Sequence, residues 1–95
     1  LPAMTVSPTG YLPRLASELD ISPATRRRAA ALARSLIAVG ATSGCKPAGI
    51  AAACLYQAGL ERDERVTQCA LAEAAGITPV TLRTRWRHLQ TLLDN

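Results

Sequence analysis

Residues 50–56, Ile-Ala-Ala-Ala-Cys-Leu-Tyr, form an uncharged and alanine-rich stretch near the middle of the chain. Pro47 can begin a helix there and Gly59 or its neighbours can end it, because proline suits the first helical position and glycine the C-terminus. A helix that is apolar on every side is stable in water only when other helices surround it. We therefore predict an all-α domain in which this third helix is buried, with alanine allowing its neighbours to approach closely.

The composition agrees with one small helical domain. Ninety-five residues, of which 48% are hydrophobic, suffice for a single hydrophobic core. Only 3% are aromatic, whereas strands favour aromatic and β-branched side chains. A formal net charge of +4 is compatible with a polyanionic partner but does not establish one.

Two helices are predicted before the central one. Residues 1–9 are expected to form a loose N-terminal segment, and residues 10–95 the domain. The first helix should begin near Tyr11 or Leu12, because Pro13 is tolerated only in a first turn. The second should follow Ser22 as N-cap and end at Gly40. Its predicted buried stripe comprises Ala29, Leu32, Ala33, Leu36 and Ile37.

Two further helices, over about residues 67–93, have the pattern of a helix-turn-helix. Ala72 is a small residue where two short helices would cross, and Gly76 supplies a left-handed turn four residues later. Thr78 is a good N-cap for the last helix and Pro79 suits its first position. Many helical hairpins share parts of this pattern, so it is moderately specific.

The last helix has two faces of opposite character. Helical spacing places one stripe toward the core, namely Leu82, Trp86, Leu89 and Leu93. The opposite side carries Val80, Arg83, Thr84 and Arg87, flanked by Thr81, Arg85 and His88. No acidic residue occurs between Ile77 and Leu93. Such a face suits a recognition helix in a DNA major groove, where arginine binds guanine and valine contacts a thymine methyl.

The residues do not indicate catalysis, a cofactor or a metal. The three cysteines, Cys45, Cys54 and Cys69, form no Cys-x-x-Cys pair, and their spacing with His88 matches no zinc module. Cys54 is expected to be a buried hydrophobe. We find no signal peptide, no run of about 18 apolar residues and no paired-carboxylate motif. We therefore expect a non-enzymatic, soluble, intracellular protein that does not contact membranes.

Three segments together identify a known family: GYLPRLASELDIS, SGCKPAGIAAACLYQAG and VTQCALAEAAGITPVTLRTRWRHL. They resemble the second cyclin-like repeat of the transcription factor IIB family, and most closely its archaeal members. The resemblance covers nearly the whole chain and implies a five-helix cyclin-like fold. It also implies a role in transcription initiation, with promoter DNA, TATA-binding protein and RNA polymerase as partners, in the cytoplasm and at the nucleoid of an archaeal cell.

The resemblance further implies site residues. In that family the terminal helix-turn-helix reads the B recognition element, upstream of the TATA box, and the base-reading positions correspond to Val80, Thr81 and Arg83. Gln68 and Arg85 correspond to positions that approach DNA. Arg87 is expected to meet phosphate, and Lys46 stands near the basic residue that many relatives place before Ser-Pro.

The family's zinc ribbon, linker and first cyclin repeat have no counterpart in these 95 residues, so we expect a C-terminal domain of a longer protein, monomeric on DNA. Two alternatives remain open from the residues. The chain could be a cyclin-like protein-interaction module that does not bind DNA, or a stand-alone helix-turn-helix regulator. A regulator would normally dimerise on a palindromic site.

Overall fold

The computed structural model describes residues 7–42 and 44–94. Within them the chain forms helices and no strand, which confirms the predicted all-α class. The five helices are α1 (Pro8–Glu18), α2 (Pro23–Ala38), α3 (Pro47–Glu61), α4 (Gln68–Ala75) and α5 (Pro79–Leu93).

Helix α3 is the buried centre of the domain, as the uncharged stretch predicts. It packs against each of the other four helices. Small side chains at most of its buried positions let those helices approach its backbone closely. The buried residues of α3 are Gly49, Ile50, Ala51, Ala52, Ala53, Cys54, Leu55, Ala58 and Gly59.

The chain folds back tightly after α3, and Gly59 makes this possible. A Cβ atom at Gly59 would lie 2.6 Å from the carbonyl oxygen of Glu64, and the Glu64 N–H donates to the Gly59 carbonyl at 2.8 Å. Asp63 adopts a positive φ of 57° in the turn. The Glu64 carboxylate thereby reaches the start of α2, where it accepts hydrogen bonds from the Ser22 N–H (2.8 Å), the Ser22 hydroxyl (2.7 Å) and the Thr25 hydroxyl.

The predicted start of the first helix is wrong. Helix α1 begins at Pro8 rather than near Tyr11 or Leu12, because Pro8 can occupy the first helical position at no cost in hydrogen bonds. Pro13 consequently lies inside the helix, on an exposed side, where it removes one backbone hydrogen bond of the helix. Of the segment expected to be loose, residues 8 and 9 are helical, and residues 1–6 lie outside the described part of the chain.

Two members of the predicted apolar stripes are exposed to solvent. Ile37 in α2 and Leu93 in α5 are each 40% exposed. Ile37 lies at the edge of its stripe in the last turn of α2, and Leu93 is the final residue of α5. Periodicity gives the direction of a side chain but not the point at which a neighbouring helix ends.

Candidate nucleic-acid interface

Helices α4 and α5 are joined by a turn whose local chemistry determines their relative orientation. The Thr67 hydroxyl caps α4 by accepting the Ala70 N–H at 3.1 Å. Gly76 follows α4 in the left-handed conformation, with φ of 72°, and the Ile77 N–H closes the turn onto the Ala72 carbonyl at 2.9 Å. Ala72 itself is buried. These observations agree with the prediction of a small buried residue at Ala72 and of a left-handed turn at Gly76.

The start of α5 is built as the sequence indicates. The Thr78 hydroxyl accepts the Thr81 N–H at 3.1 Å, and Pro79 occupies the first position of the helix. Leu82 and Leu89 are buried and hold α5 on the core. Val80 is 62% exposed at the leading end of the opposite face. The helix therefore presents its N-terminal turns outward while its aliphatic stripe is anchored.

Arg83 is held in place on this outward face. It is partly buried, and its Nη1 donates a hydrogen bond to Gln68 Oε1 at 3.1 Å. Gln68 in turn donates from Nε2 to the Tyr56 hydroxyl oxygen at 3.2 Å. Two of the predicted site residues, Arg83 and Gln68, are thus directly bonded across the two helices of the motif.

Lys46 and Arg85 line a cleft between the start of α3 and the turn of the motif. The cleft has a volume of about 410 Å³ and its wall includes Thr78 and Thr81. The Thr78 and Thr81 hydroxyls lie 3.1 Å apart and are hydrogen-bonded. The fold therefore brings Lys46 to the helix-turn-helix, although it lies 33 positions before the first residue of α5 in sequence. Its side chain is exposed, whereas that of Arg85 is partly buried.

The outward face of α5 is cationic without local compensation. Within the described part of the chain, the ion pairs are Arg14–Glu18 and Arg28–Glu61, and neither involves α5. The first turn of α5 contains no acidic residue. Arg87 is exposed, as are Thr84 and His88. Uncompensated positive charge at a helix N-terminal half is a favourable setting for phosphate groups.

The prediction that Trp86 belongs to the core is wrong. Its ring is only partly buried and packs edge-on against Tyr56, with ring centres 5.2 Å apart. The indole N–H donates to Gln57 Oε1 at 2.9 Å, and Gln90 Nε2 donates to the same oxygen at 2.6 Å. A buried indole needs a partner for its N–H, and this partner lies at the boundary of the core rather than inside it.

Sequence reasoning missed Tyr56 and Gln57, which connect α3 to the motif. Their position at the end of the uncharged stretch was a signal, because a helix that leaves the core first exposes residues with polar ends. The stretch ends at Tyr56, the first residue of it that is not fully buried.

The described residues contain no cluster of metal-ligating side chains, and their buried cysteine keeps its proton at neutral pH. Among residues 7–42 and 44–94, no group of three or more His, Cys, Asp or Glu side chains could hold a metal ion. Burial raises the pKa of the Cys54 thiol to about 12, so this cysteine is not a nucleophile at neutral pH. None of the helices in this part of the chain has the length and apolar character needed to span a bilayer.

The comparisons with known proteins all indicate the same family. The family model described as "Transcription factor TFIIB repeat" matches residues 3–91. The chain is 48% identical over 89 residues to transcription initiation factor IIB of Pyrodictium occultum, which covers 94% of this chain and 29% of that protein. It is 43% identical over 89 residues to transcription initiation factor IIB 1 of Halobacterium salinarum, covering 94% of this chain and 31% of that protein. The chain thus spans under a third of the length of these curated relatives.

Proposed function

Because the chain belongs to the transcription factor TFIIB repeat family, we propose that it is the promoter-binding domain of a general transcription initiation factor. In this proposal it binds DNA upstream of the TATA box together with TATA-binding protein, and helps to recruit RNA polymerase. It acts as a monomer at the nucleoid and catalyses no reaction. The observation that carries the proposal is the two-sided character of α5. Its outward side has three arginines and no acidic residue, and its inner side is held on the core by buried leucines.

The residues on this face divide by what they can contact. Val80 is an exposed apolar side chain at the leading end of α5 and suits a thymine methyl group. Arg83 has donors for the oxygen and nitrogen of a guanine edge, and Thr81 can reach a base or a phosphate. These three are the proposed base-reading residues of an upstream recognition element.

The remaining cations suit the phosphate backbone. Arg87 is exposed beyond the base-reading turns. Lys46 and Arg85 lie on the cleft beside the turn, so they can meet a strand that passes the motif. Gln68 lies between Arg83 and Tyr56, and its amide is engaged by both. Contacts to phosphate fix the register of a protein on DNA, whereas base contacts supply the sequence preference.

The test is binding of the 95-residue chain to promoter DNA with a matched or a scrambled upstream element, with and without TATA-binding protein. One helix-turn-helix alone should bind weakly, roughly in the micromolar range, because its contacts are mainly electrostatic. TATA-binding protein should increase both affinity and discrimination by positioning and bending the site.

Other outcomes would favour another function. Binding that changes little with salt concentration would contradict phosphate contacts and support a protein-interaction module. Tight, strongly selective binding to a palindrome by a dimer of this chain would support a stand-alone regulator.

A further inference from the structure

A short series of contacts connects the core helix α3 to the outward face of α5. Gln68 Oε1 accepts from Arg83 Nη1 at 3.1 Å, and Gln68 Nε2 donates to the Tyr56 hydroxyl oxygen at 3.2 Å. Tyr56 lies near the C-terminal end of the buried helix α3, and its ring is braced edge-on by Trp86. Each member therefore has a partner on a different helix.

The orientation of the Gln68 amide follows from its two neighbours. A guanidinium group can only donate hydrogen bonds, so the amide oxygen must face Arg83. The amide nitrogen then faces Tyr56, and the hydroxyl oxygen must act as the acceptor. If Tyr56 lost its hydroxyl group, the amide would lose the contact that holds it in this orientation, and its oxygen would no longer be fixed toward Arg83.

Holding Arg83 in this way leaves its binding capacity almost intact. A guanidinium has five N–H donors, of which the Gln68 bond uses one, and a guanine edge needs two. A side chain with as many rotatable bonds as arginine loses conformational freedom when it binds, and ordering it beforehand reduces that cost.

We propose that Tyr56 and Gln68 are positioning residues that hold Arg83 in the orientation in which it reads a base. This inference rests on the proposed promoter-binding function. Tyr56 touches no DNA in this account, and acts only through Gln68 and Arg83. Its removal should therefore reduce selectivity and leave non-specific affinity unchanged.

The experiment compares Tyr56→Phe with the wild-type chain on matched and scrambled upstream elements, with TATA-binding protein present. Phenylalanine keeps the ring that packs on Trp86 and removes only the hydroxyl group. We expect the ratio of the two affinities to fall about three- to tenfold, as for the loss of one neutral hydrogen bond. Affinity for the scrambled element should stay the same. Tyr11→Phe is the matched control, because Tyr11 lies on α1 and its ring contacts Arg14.

A double-mutant cycle with Arg83→Ala separates positioning from a direct effect. If Tyr56 acts through Arg83, Tyr56→Phe should have no further effect on selectivity once Arg83 is alanine. Equal effects of Tyr56→Phe in both backgrounds would overturn the inference, and so would unchanged selectivity in the single variant. Gln68→Ala should reduce selectivity at least as much as Tyr56→Phe.

Two readouts keep the possible failures apart. Wild-type protein that does not distinguish matched from scrambled DNA would overturn the proposed function, and the inference with it. Wild-type protein that discriminates while Tyr56→Phe discriminates equally well would overturn the inference alone. Thermal unfolding of each variant excludes a general loss of structure, since a destabilised fold would weaken binding to both elements.

Discussion

Helices α2 and α5 begin alike but face different surroundings. Each has a hydroxyl residue as N-cap and proline at the first position, and each cap accepts a backbone N–H three residues later. Each is also rich in arginine. Helix α2 has Arg26, Arg27 and Arg28 in its first two turns and Arg34 further on, and α5 has Arg83, Arg85 and Arg87.

The difference lies in the acidic residues that the fold brings to α2. Glu64 covers its N-terminus, and Glu61 pairs with Arg28 at 2.6 Å. Both glutamates belong to the segment that ends α3 and turns toward α4, so they reach α2 only in the folded protein. Within the described residues no acidic side chain forms an ion pair with α5. In α2 the fold thus places an acid against Arg28 and another at the helix start, whereas α5 has neither among the described residues, and this contrast supports the proposed binding surface on α5.

The largest expected effect concerns Leu82, which holds α5 on the core, in comparison with Val80, which lies on the outward face. Leu82 is fully buried, so Leu82→Ala should lower the free energy of unfolding by about 2–5 kcal/mol through loss of apolar contact and a remaining cavity. Val80→Ala, on the outward face two residues earlier, should change stability by less than about 0.5 kcal/mol. Denaturant unfolding of the two variants measures the contrast. Similar losses would mean that the outward face is also packed.

The second prediction compares arginines of the two helices in binding. Arg83→Ala should weaken binding to the matched upstream element by about 1–3 kcal/mol and relax the preference at one base position. Arg26→Ala, on α2, should change affinity little for any sequence. The measurement is binding of both variants to matched and mutated elements in the presence of TATA-binding protein. Equal losses that do not depend on sequence would argue against base reading and for a protein-docking surface.

The features that the sequence predicts well are local ones. Thr78, Pro79 and Gly76 act within one turn of chain, and the buried position of α3 follows from its lack of charge. The class of fold, the caps and the outward-facing Val80 could therefore be predicted from neighbouring residues.

The features that escaped prediction depend on contacts between distant segments. Glu64 bonds Ser22 across 42 residues, and Gln68 links Tyr56 to Arg83. Trp86 lies in the apolar stripe by spacing, yet its burial depends on how far Tyr56 and its neighbours extend beside it. Side-chain periodicity shows which face of a helix is apolar, but it carries no information on which distant residues come into contact with that face.

The third prediction removes the compensation at the start of α2. The pKa of Glu64 is lowered by hydrogen bonds from the Thr25 hydroxyl and from Ser22, so its ionised form stabilises the folded state. This contribution is present above the ordinary carboxyl pKa of 4.5 and is lost as pH falls through the lowered folded-state value. Glu64→Gln should reduce stability at pH 7 by about 1–2 kcal/mol, as for weakened hydrogen bonds to a charged group.

The control for Glu64 is Glu61→Gln. The pKa of Glu61 is also lowered, chiefly by its hydrogen bond from Arg28, but the pair is exposed on the surface. An exposed pair contributes about 1 kcal/mol or less. Unfolding measured from pH 7 to pH 3 should therefore show a smaller loss of pH dependence for Glu61→Gln than for Glu64→Gln. The reverse order would mean that Glu64 does not stabilise the start of α2.

The smallest expected effect compares two exposed arginines. The proposal places Arg87 against a phosphate and gives Arg27 no contact with DNA. Arg87 is exposed on the outward face of α5, and Arg27 is exposed on α2. If Arg87 meets a phosphate, Arg87→Ala should lower the slope of log affinity against log salt concentration by about one unit, because one fewer counterion is released. The loss should be the same for matched and scrambled DNA, since a phosphate carries no base identity. Arg27→Ala should leave the slope unchanged, although it removes the same charge from the chain. A reduced slope in both variants would mean that DNA responds to the total charge of the domain, and the contrast between the two helices would then have no role in binding.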